Sequence, residues 1–532
     1  MPHRIGCAHA AGQPGRAACG CLRRLRSSAA QRACLLLAAV FGLAVPSAMA
    51  QGGSATPTMK VDSRLVVLDL SVTDSKGEPV LNLRPDEVRV YEDGRPQTVR
   101  SFDPPAIHAM PPGSTAAAVV RSTADLAKIG QAPVTVLVLD ELNMGFSDES
   151  YARQKLAAWL SAQPAVLPQP AALMAVTYKN FEELRDYTQD RDALLQALKA
   201  HHATVPWRKY NNGTLGAAAS ETMFASLGAL EQIAQSTRGI AGRKNLIWVG
   251  DGFPSISTAE PDAKAAETAK AYVRRITNAM LQARVTLSIL GPTLKPYGMV
   301  TVETQSQTNS VNSGAIVQPA TEDLQFASLA PSSGGRAYAN RNDLDREIGE
   351  SVDAGVHFHT LSYTPTEASN DPKQFRRIRV EILRPGLTAQ TRDGYFAEPD
   401  KPEPPTRQQL AFDLYGAAES TLQYTDLHVR AEHTSGNLYA LRVDAGQMTW
   451  SDQPGGKRHA DTIVLAVCFS AQGRMLSRAV TMLGSETSSA ASLSGASATL
   501  ETKVTPPPGT ARIRFVLRDA VSGRLGTTDV AP

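Results

Sequence analysis

Residues 65–102 alternate apolar and polar positions in short runs, LVVLDLSV, EVRVYED and TVRSF, broken by SKGEP and EDGRP. A period of two, with Gly, Pro and Asp at the breaks, predicts antiparallel β structure of the sandwich type. Beyond a Pro/Ala/Ser-rich connector at roughly 103–131, the rhythm changes to strand, helix, strand, helix. VTVLVLD (134–140) is a continuous aliphatic run of the kind found in strands covered on both faces. ESYARQKLAAWLSA fits an amphipathic helix with Leu156 and Trp159 inward, and AALMAVTY is the next buried strand. FEELRDYT reads as a short edge strand and DRDALLQALKA as a helix. A long helix from about Leu215 to Gln235, the strand KNLIWVGD (244–251), a helix near 260–283, the strand RVTLSILG (284–291), a helix around Thr321 to Leu329 and the piece GGRAYA complete the series.

From His357 the period returns to two in HFHTLSYTP and FRRIRVEILRPGLTAQTRDGYF, then EPDKPEPPT forms a Pro-rich linker. The pattern alternates again in LHVRAEH, LYALRVD, ADTIVLAVCFSAQGRMLSRAV and ARIRFVLRDAVSGRLGTTDV, while GSETSSAASLSGASA reads as a long loop. The expected fold class is therefore α/β. A doubly wound, mostly parallel sheet occupies 132–355 and is inserted between β-sandwich segments at 60–105 and 357–397. The linker at 398–406 leads to a C-terminal all-β domain, 407–532.

The first fifty residues alter this picture by leaving it. They carry six arginines and no acidic residue, then ACLLLAAVFGLAV and the ending Ala48-Met49-Ala50, which is a secretory signal with a cut after Ala50. Its removal leaves 482 of 532 residues and turns 54 basic against 51 acidic side chains into 48 against 51, a formal charge of −3. A mildly acidic chain with no basic stripe has no electrostatic footprint for nucleic acid. Four of the five cysteines leave with the leader, so Cys468 is a buried small hydrophobe without a disulfide partner. No other apolar stretch reaches membrane-spanning length, and the expected location is exported, periplasmic or extracellular.

Four segments have a familiar order and spacing: VTDSKGEPVLNLRPDEVRVYEDGRPQTVRSF, VLVLDELN with DESYARQKL, FASLAPSSGGRAY, and HFHTLSYTP with RRIRVEILRPGLTAQTRDGY. Together they resemble the bacterial VWFA-related domain family, and the inserted unit resembles a von Willebrand factor A domain of Rossmann type. The resemblance implies a divalent cation, Mg²⁺ or Mn²⁺, at the carboxyl edge of the sheet, where open α/β sheets bind ligands. Matched to the family's Asp-x-Ser-x-Ser, Thr and Asp, the ligands are Asp140, Thr214 and Asp251, with Asn143 as a further oxygen donor. The two serine positions hold Leu142 and Met144, neither of which donates oxygen, so the adhesion site is degenerate.

Two readings of Asp140 stand side by side: a cation ligand, or a carboxylate that binds loop amides while Ser147 or Asp148 caps the next helix. His357 and His359 share a strand face, and His201 and His202 sit at a helix end that favours imidazolium. Asn212-Gly213-Thr214 matches a glycosylation sequon, and the loop within 293–318 is rich in polar residues. The chain has no Gly-x-Ser-x-Gly elbow, phosphate loop or His-Glu-x-x-His helix, so the expectation is not an enzyme. It is a secreted or periplasmic binding protein whose ligand edge, Asp140, Asn143, Thr214 and Asp251, meets a protein or cell-surface ligand. The alternative is a structural or assembly factor of the cell envelope.

Overall fold

The computed structural model describes residues 65–532 except 115, 178–180, 204–214, 254–255, 258–262, 293–322, 340–342, 368–370, 399–403 and 489–491. The leader, Thr214, the sequon, the 293–318 loop and most of the Pro-rich linker lie outside the described residues.

The alternating N-terminal segment becomes β1 (Val66–Thr73), β2 (Val88–Glu92), β3 (Arg95–Gln97) and β4 (Val99–Asp103). In β1, Val66, Leu68, Leu70 and Val72 all point into the core, as period two requires. The chain then enters a mixed unit: β5 (Val134–Asp140), α1 (Phe146–Ala162), β6 (Val166–Val176), β7 (Phe181–Asp190), α2 (Arg191–Ala200), α3 (Leu215–Thr237) and β8 (Lys244–Val249). It continues through β9 (Ile256–Ser257), α4 (Ala263–Gln282), β10 (Val285–Gly291), β11 (Asp323–Leu324), α5 (Leu329–Ser333), β12 (Ala337–Ala339) and α6 (Leu344–Val356).

Six of these strands form one sheet in the order β12-β10-β8-β5-β6-β7, parallel throughout except for the edge strand β7. Alternate residues of β5 serve two cores. Val134, Val136 and Val138 pack with Leu227, Leu230 and Ile233 of α3 and Ile276 and Met280 of α4. Leu137 and Leu139 pack with Leu156 and Leu160 of α1, Leu194 and Leu198 of α2, and Ile348 of α6. Burial on both faces is why the strand reads as an unbroken aliphatic run. The small β9 and β11 pair antiparallel beside this sheet.

The chain returns as β13 (His359–Tyr363), β14 (Phe375–Ile382), β15 (Thr388–Gln390) and β16 (Gly394–Phe396). These interleave with the first four strands in two antiparallel sheets, β15-β1-β13-β4 and β16-β14-β2-β3, around Leu68, Leu70, Val90, Leu361 and Tyr363. The α/β unit is thus an insertion in a sandwich whose halves are more than 250 residues apart in sequence, Leu68 pairing with Leu361.

The C-terminal segment departs from the all-β expectation at its start, where α7 (Arg407–Glu419) is set by a capping box between Thr406 and Gln409. The strands that follow are β17 (Val429–Ser435), β18 (Leu438–Asp444), β19 (Ser451–Gln453), β20 (Lys457–Phe469), β21 (Met475–Ser488), β22 (Ser497–Lys503), β23 (Arg512–Asp519) and β24 (Leu525–Val530). Alternate residues of β20 again divide. Val464, Ala466 and Cys468 face the β17-β18-β22 sheet, and Ile463, Leu465, Val467 and Phe469 join the core that holds α3 and α7. The region is therefore fused to the α/β unit through a shared core rather than hung from a linker.

Four local expectations are corrected. The stretch assigned to a helix around Thr321 to Leu329 holds β11 and a single 3-10 turn, and α5 begins only at Leu329. Helix α6, LDREIGESVDAGV, was not anticipated. Strand β21 extends through Ser488, so GSETS at the head of the expected loop is sheet, held by its register with Lys457–Asp461 of β20. His357 and His359 do not share a strand face: His357 ends α6, while only His359 belongs to β13, buried beside Phe102.

Candidate functional site

Parallel pairing puts Asp140 at the carboxyl end of β5, with Leu139 opposite Val249 of β8, so the loops 141–145 and 250–253 meet at one rim. The Asp140 side chain is wholly buried. Its Oδ1 accepts from the Asn143 backbone N–H at 3.1 Å and from Asn143 Nδ2 at 3.0 Å. Its Oδ2 accepts from Asn143 Nδ2 at 3.0 Å, the Trp248 indole Nε1 at 2.9 Å and the Gly252 backbone N–H at 3.0 Å.

The neighbouring glycines make this approach feasible. Gly250 and Gly252 have φ of 145° and 69°, and a Cβ at Gly252 would fall 2.0 Å from a ring carbon of Phe326. At Gly250 it would fall 2.4 Å from Asp140 Cβ. Burial pushes the Asp140 carboxyl above its usual range, and the N–H donors of Asn143, Trp248 and Gly252 oppose the rise.

This donor set does not fit a divalent ion. A hard cation needs free carboxylate lone pairs, and here four nitrogens point N–H groups at the two oxygens. Trp248 cannot withdraw, because its ring is fully buried and lies 4.8 Å from that of Phe326. Asn143 acts as a donor rather than the oxygen ligand envisaged. Its amide turns NH₂ toward the carboxylate, since its oxygen would be repelled there, and also donates to Ser226 Oγ at 3.0 Å. Leu142 and Met144 fold away into the two cores of the sheet. Asp251 sits half-buried between the two glycines at the same rim, and Thr214 lies outside the described residues. Among the described residues no group of three or more His, Cys, Asp or Glu side chains is placed to hold a metal.

The capping expectation is also corrected. Helix α1 begins at Phe146 with Gly145 as its N-cap and no side-chain cap, so Ser147 and Asp148 lie inside the first turn. Asp148 and Glu149 there face the positive end of the helix.

Beside Asp140 a second polar network went unread in the sequence. Glu141, fully buried, binds His201 Nε2 at 2.6 Å and faces Arg153, which also pairs with Glu149 at 3.3 Å. Arg153 in turn donates to the carbonyls of Leu198 and His201, tying α1 to the end of α2. His201 closes the end of α2 as its C-cap, as expected, and its half-buried ring is also tied to Glu141. Trp248 was legible only as core. The usable signal was that a buried indole N–H needs an acceptor, and Asp140 is the near one across the strand pair. Among the described residues, Phe146 at the start of α1 is a large apolar side chain exposed at this rim, at 73%.

No protein-family profile matches the chain, and no curated protein does. Among solved structures, the SpRpn10 VWA domain aligns with 34% of this chain and 96% of its own at 11% identity and a TM-score of 0.16. A calcium-binding mutant of Bacteroides uniformis beta-glucuronidase 2 aligns over 32% of this chain at 10% identity and a TM-score of 0.11. This chain spans 18% of that enzyme's length.

Proposed function

We propose that the protein is an exported, non-enzymatic binding protein that uses the carboxyl-end rim of its VWA-like unit to hold a protein or cell-surface partner without a metal ion. The observation that carries this reading is the closed hydrogen-bond shell around Asp140, which fixes the rim loops as a rigid platform. Phe146 stands exposed on that platform as an apolar anchor. Recognition then rests on shape and hydrogen bonds.

A second reading, a structural or assembly factor of the cell envelope, is favoured by a different region. Strand β21 is an edge strand in the C-terminal region and leaves Val480 and Met482 exposed. Photo-crosslinking from position 146 or position 482 in intact cells separates the two. A discrete adduct from 146 alone supports the rim, and one from 482 alone supports the β-sheet reading. Titrating Mg²⁺, Mn²⁺ and Ca²⁺ to millimolar levels is expected to leave the unfolding temperature unchanged. A rise that disappears in Asp251→Ala would restore the ion-dependent form.

A further inference from the structure

At the opposite end of the six-stranded sheet, where the α/β unit meets the sandwich, the chain buries positive charge with little to match it. Arg243, at 4% exposure, donates to Thr286 Oγ1 at 3.0 Å and stacks 5.0 Å from the Phe358 ring. Arg284 donates through Nη2 to Asp69 at 2.6 Å and to Thr360 at 2.9 Å, and through Nη1 to the Ala241 carbonyl. Its Nε is buried with no partner, and its backbone is held at a φ of 53°, unusual for a side-chain-bearing residue. Arg392, at 6% exposure, has a buried Nη1 without a partner.

Asp69 is the carboxylate among them. Three guanidinium groups against one carboxylate leave an excess of positive charge, of which the C-terminal end of α4, which Arg284 follows, offsets about half a charge. A buried unpaired cation is costly, so such a cluster calls for an anion. The space for one exists: Asp69, Arg284, Arg392, Thr286, Ser333 and Leu281 surround a cavity of about 10 Å³, enough for a single water-sized particle.

We infer that this seam is a binding site for a small monatomic anion of chloride size, held by the unpaired N–H groups of Arg392 and Arg284 and locking the α/β unit to the sandwich. Phosphate and sulfate are too large for the cavity. The test compares the full chain in sodium chloride and in sodium gluconate at equal ionic strength. Chloride is expected to raise the unfolding temperature saturably, by about 2 °C or more, and phosphate to give no such rise. Arg392→Met is expected to abolish the chloride response while raising the unfolding temperature in gluconate, since it removes the unpaired charge. Equal temperatures in both salts, or the same difference in Arg392→Met, would overturn the site. Crystals of the unaltered protein grown in bromide give a check that needs no variant. An anomalous peak beside Arg392 supports the assignment, and none there refutes it.

Discussion

The two ends of the central sheet solve opposite charge problems. At the carboxyl end the buried carboxylate of Asp140 is held by N–H groups from Asn143, Trp248 and Gly252 with no side-chain cation in its hydrogen-bond shell. At the amino end Arg243, Arg284, Arg392 and Lys244 crowd around one carboxylate, and Lys244 Nζ donates to the carbonyls of Ile240 and Gly242. Parallel topology explains the signs. Helices α1, α3 and α4 begin near the carboxyl end and finish near the amino end, so their positive dipole ends lie at one rim and their negative ends at the other, whereas α2, which follows the antiparallel β7, runs the opposite way and ends beside Glu141. An anion is favoured at the first and cations at the second. The difference teaches that a buried carboxylate can be met by a closed shell of neutral N–H dipoles, whereas the base, with more cations than carboxylates, leaves Arg284 Nε and Arg392 Nη1 without partners.

The sharpest way to break the comparison is Asp140→Ala. It orphans the Trp248 and Gly252 N–H groups in the core and is expected to destabilise the fold by about 3 kcal/mol or more in urea unfolding. A loss below 1 kcal/mol would mean the shell is not what holds the rim. Trp248→Phe keeps an aromatic ring but loses the indole N–H to the carboxylate and some buried volume, so a loss of about 2 kcal/mol is expected.

At the base, burial brings the Lys244 ammonium down from 10.5 to about 7. Between those values the folded chain binds fewer protons than the unfolded one, so this residue makes stability rise with pH, by up to about 1.4 kcal/mol per unit. Lys244→Met should remove that slope above pH 7, measured as the difference from the unaltered protein. An unchanged slope would place the charge elsewhere. The smallest effect expected is the null response to divalent ions at the rim.

Much of the architecture was legible because burial leaves a period. VTVLVLD announced a strand covered on both sides, and 65–102 announced a half-buried one. The same logic failed where burial had an unusual cause. IVLAVCF in β20 is antiparallel yet reads as continuous, because one face meets a sheet and the other meets α3 and α7. Helix α7 hid behind a Pro-rich stretch, and α6 behind its charged residues. At the rim, the position of Asp140 at a strand end was readable from seven residues, and the loss of oxygen donors at Leu142 and Met144 from two more. That Asn143 turns its amide as a donor was not readable, since an amide offers both an oxygen and an NH₂ until its neighbour is known.

The sequence alone determined the strands and helices with strong periodicity, the carboxylate at the end of β5 and the absence of hydroxyls beside it, because those follow from residue type and spacing. Only the tertiary structure decided what meets that carboxylate, which cations share the base, and that the C-terminal strands join the α/β core. Each of these depends on residues 100 or more positions apart being brought within hydrogen-bond or van der Waals reach, as with Asp140 and Trp248 or Asp69 and Arg284. No local pattern encodes such a distance, because the free energy that sets it comes from packing the whole chain at once.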